Sequence, residues 1–419
     1  MCRSLVLALA VLSLLSTSGL SADVTADVRL LAKGQTAFAI DLYGRLKADE
    51  GNVLFSAYSA QTALAMARSG ARGRTAVQMS QVLHLPPEEM PEAWRALVAE
   101  VTTPPAVREP GGSKDVSNTA YTLSVANALW AQKGYPIVRA YRDLVASSYG
   151  AELREADFAQ GPKVRREIND WVLSKTNDKI KDLIPEGLPT PNTCLALVDA
   201  IHFAAQWDEP FHERDTSDES FTNAKGERVT VRMMHRTDHW SYFDDAEVQV
   251  VSLRYRQEAV DMLVALPKRP DGLAVLEAGL TPKVIDRWAN GQRTEMIALA
   301  LPRFRFEAAR ELSGMLRSMG MTDAFSPVEA DFRGIADVPG QPLFIGPVLH
   351  KAFIAVDEKG TEAAAATAVL MMREGLGSSS AAPIPFVCDR PFFFLLRHRA
   401  TGAVLFMGRL SMPEPGSGS

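Results

Sequence analysis

Apolar and polar positions recur at two different periods along this chain, and the change falls near Thr190. From Val24 to about Leu85 the apolar residues sit at helical spacing, as in "GQTAFAIDLYGRLKA", which predicts helix. Within that span "NVLFSAYSAQTALAMARSGA" predicts a short apolar strand and then a helix opening near Ser56 or Ser59. "TPPAVREPGGSKDVS" (Thr103 to Ser117) is punctuated by Pro and Gly and reads as a surface loop. "TLSVANALWAQ" alternates loosely, as a strand does. "YPIVRAYRDLVASSYGAEL" and "KVRREINDWVLSKTNDKIKDLI" return to helical spacing.

Beyond Thr190 the segments shorten. "TCLALVDAIHFAAQW", "EVQVVSLRY", "VDMLVALP", "EMIALALPRFRFEA", "HKAFIAVDEKG", "PFFFLLRH" and "AVLFMGRL" are apolar or alternating runs separated by turns. They read as strands, several buried on both faces. "AARELSGMLRSMGM" reads as an inserted helix. Helices first and strands later predict an α+β architecture with large sheets. No internal repeat and no linker rich in Pro, Gly and Ser divides the chain, so one domain is expected over 23–413, with 414–419 as a flexible tail.

Composition changes this picture little: 419 residues, 47% hydrophobic and 23% charged, are ordinary for a globular chain with a large core. A net charge of −5 gives no general reason to expect nucleic acid or an anionic membrane surface as partner. The N-terminus carries an address. In "MCRSLVLALAVLSLLSTSGLSA" Arg3 precedes an apolar run from Leu5 to Leu15 and then small residues, the order of a secretory signal peptide over 1–22. Cleavage after Ser21 or Ala22 is expected, an uncleaved anchor being the other reading of the same stretch. Cys2 precedes the apolar run and so does not resemble a lipid-attachment cysteine. The mature chain is expected outside the cell, or in the periplasm if the source is a Gram-negative bacterium. No other apolar run is long enough to cross a membrane. Cys194 and Cys388 are expected as two separate thiols, although secretion permits one disulfide. No Asn-x-Ser/Thr acceptor is present.

Candidate chemistry is sparse. G-x-S-x-G, P-loop, H-E-x-x-H and EF-hand patterns are all missing. "HRTDH" brings His235, Asp238 and His239 close in sequence, but its surroundings read as strand and turn, so a solvated pair is expected and no metal. A Ser-His-Asp set is assembled in space and spacing does not exclude one.

The segment "DEKGTEAAAATAVLMMREGLGSSSAAPIPF" (Asp357 to Phe386) supplies the positive signal. "DEKGTEAAAAT" closely resembles the hinge of the serpin reactive loop, and "RPFFFLLRHRATGAVLFMGRLSMP" resembles the serpin C-terminal signature. "NVLFSAYSAQTALAMARSGA" is similar to the family's N-x-x-F-S-P-x-S strand and helix, with Ala57 where proline is usual. "EINDWV", "LVDAIHFAAQWDEPF", "LPRFRFE" and "HKAFIAVDEKG" follow in the family's order, so the resemblance spans nearly the whole mature chain.

The resemblance implies the serpin fold, with three sheets, about nine helices and an exposed reactive loop, here about 358–386. It implies a sheet-opening cluster of Ser56, Ser59 and His350, with Asp199 where the family usually has asparagine, and Trp207 near the top of the main sheet. An Asp199–His350 pair raises the possibility of pH-sensitive opening, the plain alternative being a conservative swap. The implied hinge is Glu358, Gly360, Thr361, Glu362, Ala363, Ala364, Ala365, Ala366 and Thr367. If this segment entered a sheet, alternate residues would face the core. Thr361, Ala363, Ala365, Thr367, Val369 and Met371 share that parity and none is charged. Glu362 falls on the other parity, where it is expected to stay in water. No proline, which would remove a ladder donor, lies between Thr361 and Met372.

The function implied is suicide-substrate inhibition. A serine protease attacks the loop, forms an acyl-enzyme, and is trapped when the severed loop inserts into the sheet. The inhibitor supplies no catalytic group, is not an enzyme and needs no cofactor. Each ladder hydrogen bond gained contributes about 1 kcal/mol, so the intact chain is expected to be metastable and held by a barrier. Family spacing of about sixteen residues from Glu358 gives Glu374–Gly375 as the reactive bond, with Arg373–Glu374 the alternative; Met372 and Leu376 would suit a chymotrypsin- or elastase-like enzyme. Other readings are a non-inhibitory binding or chaperone serpin, an inhibitor of a cysteine protease, or a hydrolase. "PPEEMPEAWRALVAEV" is acid-rich where heparin-binding members carry basic residues, so heparin activation is not expected. A monomer is expected.

Overall fold

The computed structural model of the chain describes residues 18–107, 119–362 and 382–413, with the first helix's side chains described from Ala26 onward. The first half contains α1 (Ser18–Leu46), β1 (Val53–Phe55), α2 (Ala57–Gly70), α3 (Gly73–Val82), α4 (Pro91–Thr102), β2 (Tyr121–Gln132), α5 (Arg139–Tyr149), β3 (Glu152–Ala156) and α6 (Gly161–Lys175). Strands then take over: β4 (Leu195–Gln206), β5 (Thr216–Thr222), β6 (Arg228–Asp244), β7 (Val248–Arg254) and β8 (Val260–Pro267). After α7 (Leu273–Ala278) and α8 (Pro282–Asn290) come β9 (Arg293–Pro302), β10 (Phe304–Glu311), α9 (Ser313–Ser318) and β11 (Ile345–Val356). The chain ends with β12 (Gly360–Thr361), β13 (Ile384–Val387), β14 (Phe392–His398) and β15 (Val404–Leu410).

Local chemistry explains many of the boundaries. Ser56 caps α2, its side chain accepting from the Ser59 N–H. Thr281 caps α8 in the same way and Pro282 takes the first helical position. Gly150, with φ 59°, closes α5. α6 stops at Lys175 because Asn177 and Asp178 both turn to positive φ, so the helical spacing read through Ile184 continues without a helix. "EMIALALPRFRFEA" divides at Pro302–Arg303 into β9 and β10, which belong to different sheets. The helix read in "AARELSGMLRSMGM" is only α9, its first residues being the end of β10. α1 begins at Ser18 and so runs across the expected cleavage point.

Among the described residues nine α-helices cover two hydrogen-bonded sheets. The larger has nine strands in the order β1-β15-β14-β8-β7-β6-β9-β13, with β5 paired to β6. The 17-residue β6 runs unbroken from β5 to β7, which joins into one sheet what the resemblance counts as two. The smaller sheet has the order β10-β11-β4-β2-β3, and β12 is wedged between β11 and β4 at one end. β4 and β11 are parallel and paired directly from Leu195–Ile345 to His202–Phe353.

The main core lies between the sheets and includes α1 and the alanine-rich α2. A second, smaller cluster lies on the other face of the smaller sheet, where Val164, Ile168, Trp171 and Val172 of α6 meet Ala126, Ala128, Ala196 and Ala200. Small side chains on β2 and β4 let α6 lie flat across the strands. The β4–β11 seam is thus covered on both faces.

Candidate functional site

Along the seam the expected cluster comes together in space. His350 on β11 and Asp199 on β4 are register partners, and His350 Nδ1 lies 2.8 Å from Asp199 Oδ2. The Ser56 backbone N–H donates to His350 Nε2 at 3.0 Å, so the ring proton belongs on Nδ1 and is donated to Asp199. Ser56 Oγ donates to the Leu405 carbonyl at 2.7 Å. Ser59 Oγ donates to Asn127 Oδ1 at 2.8 Å, and Asn127 is the β2 partner of Asp199. Ser56, Ser59, Asp199 and His350 are all fully buried. Asp199 Oδ1 has no hydrogen-bond partner among the described residues.

This is a Ser-His-Asp grouping without the geometry of a triad. Ser56 meets the imidazole through its backbone, its hydroxyl is committed to a carbonyl, and no substrate reaches it. A triad needs the hydroxyl on the base and an open face. His235 and His239 are likewise apart: both sit on β6, where four residues span about 13 Å, and His235 pairs with Glu219 at 2.6 Å.

At the wedged end of the seam β12 pairs antiparallel with both neighbours, Thr361 facing Val356 on one side and Ala205 on the other. Gly360 has φ 155°, and a Cβ there would lie 2.0 Å from the Ala205 carbonyl oxygen, so only glycine fits. Thr361 is buried, its hydroxyl 2.5 Å from the Tyr255 hydroxyl. Trp207 stacks on Tyr255 with centroids 4.3 Å apart. Its indole N–H donates to the Asp357 carbonyl at 2.9 Å, and its backbone N–H donates to the Lys359 carbonyl.

Glu358 is buried beneath this turn. Its carboxylate accepts from Arg303 Nε at 2.7 Å and from Thr216 Oγ1 at 2.5 Å. Burial pushes the Glu358 carboxyl up, and the Arg303 and Thr216 hydrogen bonds outweigh that, leaving it below the usual range. Asp357 is raised by burial, although the Lys359 and Gly360 N–H groups both donate to it.

Glu362 lies just past the strand, its side chain 17% exposed, and its carboxylate pairs with His202 Nε2 on β4 and with Lys179 Nζ at 2.6 Å. With φ 44° the backbone turns out of the sheet at this residue. The sequence carried no sign that His202 and Lys179 meet Glu362. Thr216, Arg303, Tyr255 and Asn127 were also missed. Arg303 had a visible signal, an ionic residue directly after the Pro302 that ends β9.

Ala363, Ala364, Ala365, Ala366, Thr367, Arg373, Glu374 and Gly375 lie outside the described residues. Cys194 and Cys388 are free thiols, Cys194 partly exposed and Cys388 buried.

A two-sheet α+β molecule with a parallel seam, a strand wedged into one end and small residues beyond the wedge matches one family. The family described as "Serpin (serine protease inhibitor)" matches residues 33–413. The chain belongs to the serpin family. An uncharacterized serpin-like protein of Thermococcus kodakarensis is 40% identical over 382 residues, covering 91% of this chain and 85% of that one. Serpin B3 of Homo sapiens is 37% identical over 394 residues, covering 91% and 99%. Human thyroxine-binding globulin complexed with its hormone superposes with a TM-score of 0.80 at 27% identity, covering 92% and 99%.

Proposed function

We propose that this chain is a suicide-substrate inhibitor of serine proteases. The protease's own nucleophile attacks Glu374–Gly375, or Arg373–Glu374, and forms an acyl-enzyme. The severed loop then enters the sheet between β4 and β11, carries the tethered protease with it and distorts the active site before water releases it. The chain supplies bait and spring but no catalytic group, and no cofactor takes part. Its partner is the protease, held in a covalent one-to-one complex, and heparin is not needed. The signal-like N-terminus suits a secreted monomer.

One observation carries this reading: β12 already occupies the first position of an additional strand in a seam that is otherwise closed. Thr361 is level with Ala205 and Val356. Carried forward in that register, a strand six residues longer would bring Thr367 level with Asp199 and His350, so the buried Asp199–His350 hydrogen bond would open as the loop passes. Direct parallel pairing would be exchanged for two antiparallel ladders, which are slightly more stable per residue. The residues sharing the parity of Thr361 are uncharged, so no ion need be buried.

The test is incubation with a panel of serine and cysteine proteases. An SDS-stable complex with a serine protease is expected, together with a released C-terminal fragment beginning at Gly375 or Glu374. Cleavage without a complex would overturn the inhibitor reading and favour a binding role. A complex formed with cysteine proteases alone would move the target class.

A further inference from the structure

We infer that Glu362, His202 and Lys179 form a latch that holds the hinge at its present depth and sets how fast the loop can enter the sheet. This rests on the inhibitor reading and concerns its rate-controlling contact. Three separate pieces of the molecule meet in the cluster: Glu362 at the exit of β12, His202 on β4, and Lys179 in the turn that follows α6. Thr361 is the last residue in strand geometry, and Glu362 at φ 44° turns the chain away. A residue with a side chain disfavours that conformation, so something must compensate, and the Lys179 ion pair and the His202 hydrogen bond of its carboxylate do so. An inserting strand needs extended backbone at this residue. The turn must therefore unwind, and the pairs that hold it are the resistance.

The protonation of His202 agrees with this role. Its side chain is 3% exposed and its Nδ1 has no partner among the described residues, so the ring proton sits on Nε2 and is donated to Glu362. Burial lowers the His202 pKa; Glu362 opposes that shift and Lys179 adds to it. The Phe353 ring on β11 is its uncharged neighbour, with centroids 6.4 Å apart, and Ser124 is its register partner on β2. If Glu362 leaves, His202 loses its one anionic partner among the described residues and takes up a proton less readily. Acidification therefore favours the latched form, and insertion should slow as pH falls through the lowered His202 pKa.

The experiment nicks the loop with excess protease and follows insertion by stopped-flow fluorescence of Trp207, which lies beside the wedge. Lys179→Ala alters a half-exposed residue and leaves the fold intact; Glu362→Gln removes the charge at the centre of the cluster. Glu362→Gln should accelerate insertion about tenfold and Lys179→Ala about threefold. The double variant should be no faster than Glu362→Gln alone, because both changes release one contact. His202→Phe should flatten that acid-side dependence. If the wild-type chain inserts but both single variants insert at its rate, the latch is wrong and the inhibitor reading stands. If the nicked wild-type chain never inserts, both are wrong.

Discussion

The β8-β14-β15 part of the larger sheet and the β4–β11 seam of the smaller one treat buried polar groups differently. In the nine-stranded sheet, Asp261 on β8 accepts from Arg397 at 2.7 and 3.1 Å and from Ser252 at 3.2 Å. Arg409 on β15 is held by Glu277 at 3.0 Å and by the Lys47 and Gly51 carbonyls. Every residue of β8 and β15 is buried, and both strands are paired on both sides. In the smaller sheet the seam between β4 and β11 holds Asp199 with one carboxylate oxygen, and His202 with one ring nitrogen, unpartnered among the described residues. A satisfied polar network locks its strands together, whereas a partly satisfied one leaves the strands easier to separate. If the loop inserts as proposed, the β4–β11 seam is the line along which the smaller sheet would part.

Removing Arg397 should have the largest effect. Arg397→Ala leaves the Asp261 carboxylate buried beside a single more distant cation, Arg399, and should cost about 3 kcal/mol, measured by urea unfolding of intact and nicked protein alike. Asp199→Ala should cost less, about 1–2 kcal/mol, by leaving His350 Nδ1–H without an acceptor. It should also speed spontaneous loop insertion on warming, which Arg397→Ala should not. Asp199→Asn keeps an acceptor for the same hydrogen bond and should change stability by less than about 1 kcal/mol. An equal cost for the alanine and asparagine variants would mean that the seam hydrogen bond contributes nothing.

Two pH effects sharpen the contrast. Burial pushes the His398 imidazole in the nine-stranded sheet down to about 4. Its unfolded counterpart titrates near about 6.5, so the unfolded chain binds the extra proton and stability falls as pH drops from about 6.5 toward 4. His398→Gln should flatten that slope in unfolding midpoints. Glu358 behaves in the carboxylate sense: its folded pKa is depressed, so its contribution is present above about pH 4.3 and is lost as pH falls through the folded value. Glu358→Gln should remove that smaller acid-limb loss. An unchanged profile in either variant would show that the group is not responsible.

How far the sequence foretold this arrangement depended on the kind of contact. The long apolar strands β4, β8, β14 and β15 were legible because burial on both faces leaves a continuous apolar run. β5, β13 and β3 are short or polar on one face, as in "TSDESFT", and carried no comparable signal. The division of "EMIALALPRFRFEA" between two sheets hangs on one Pro-Arg step, which a hydropathy pattern does not resolve. Ser56, Ser59, Asp199 and His350 were found through family motifs, not through any periodicity, since they come from separate segments up to 294 residues apart. The Glu362–His202–Lys179 contact lay beyond both routes: it depends on a positive φ at one residue and on a turn after α6, neither of which leaves a mark in residue pattern.

Whether the seam opens is tested most directly by melting the intact chain beside a sample cut once in the loop and freed of protease. Insertion of the released strand should raise the melting temperature by about 10 °C or more. An unchanged or lower midpoint for the cut chain would contradict a spring-loaded sheet.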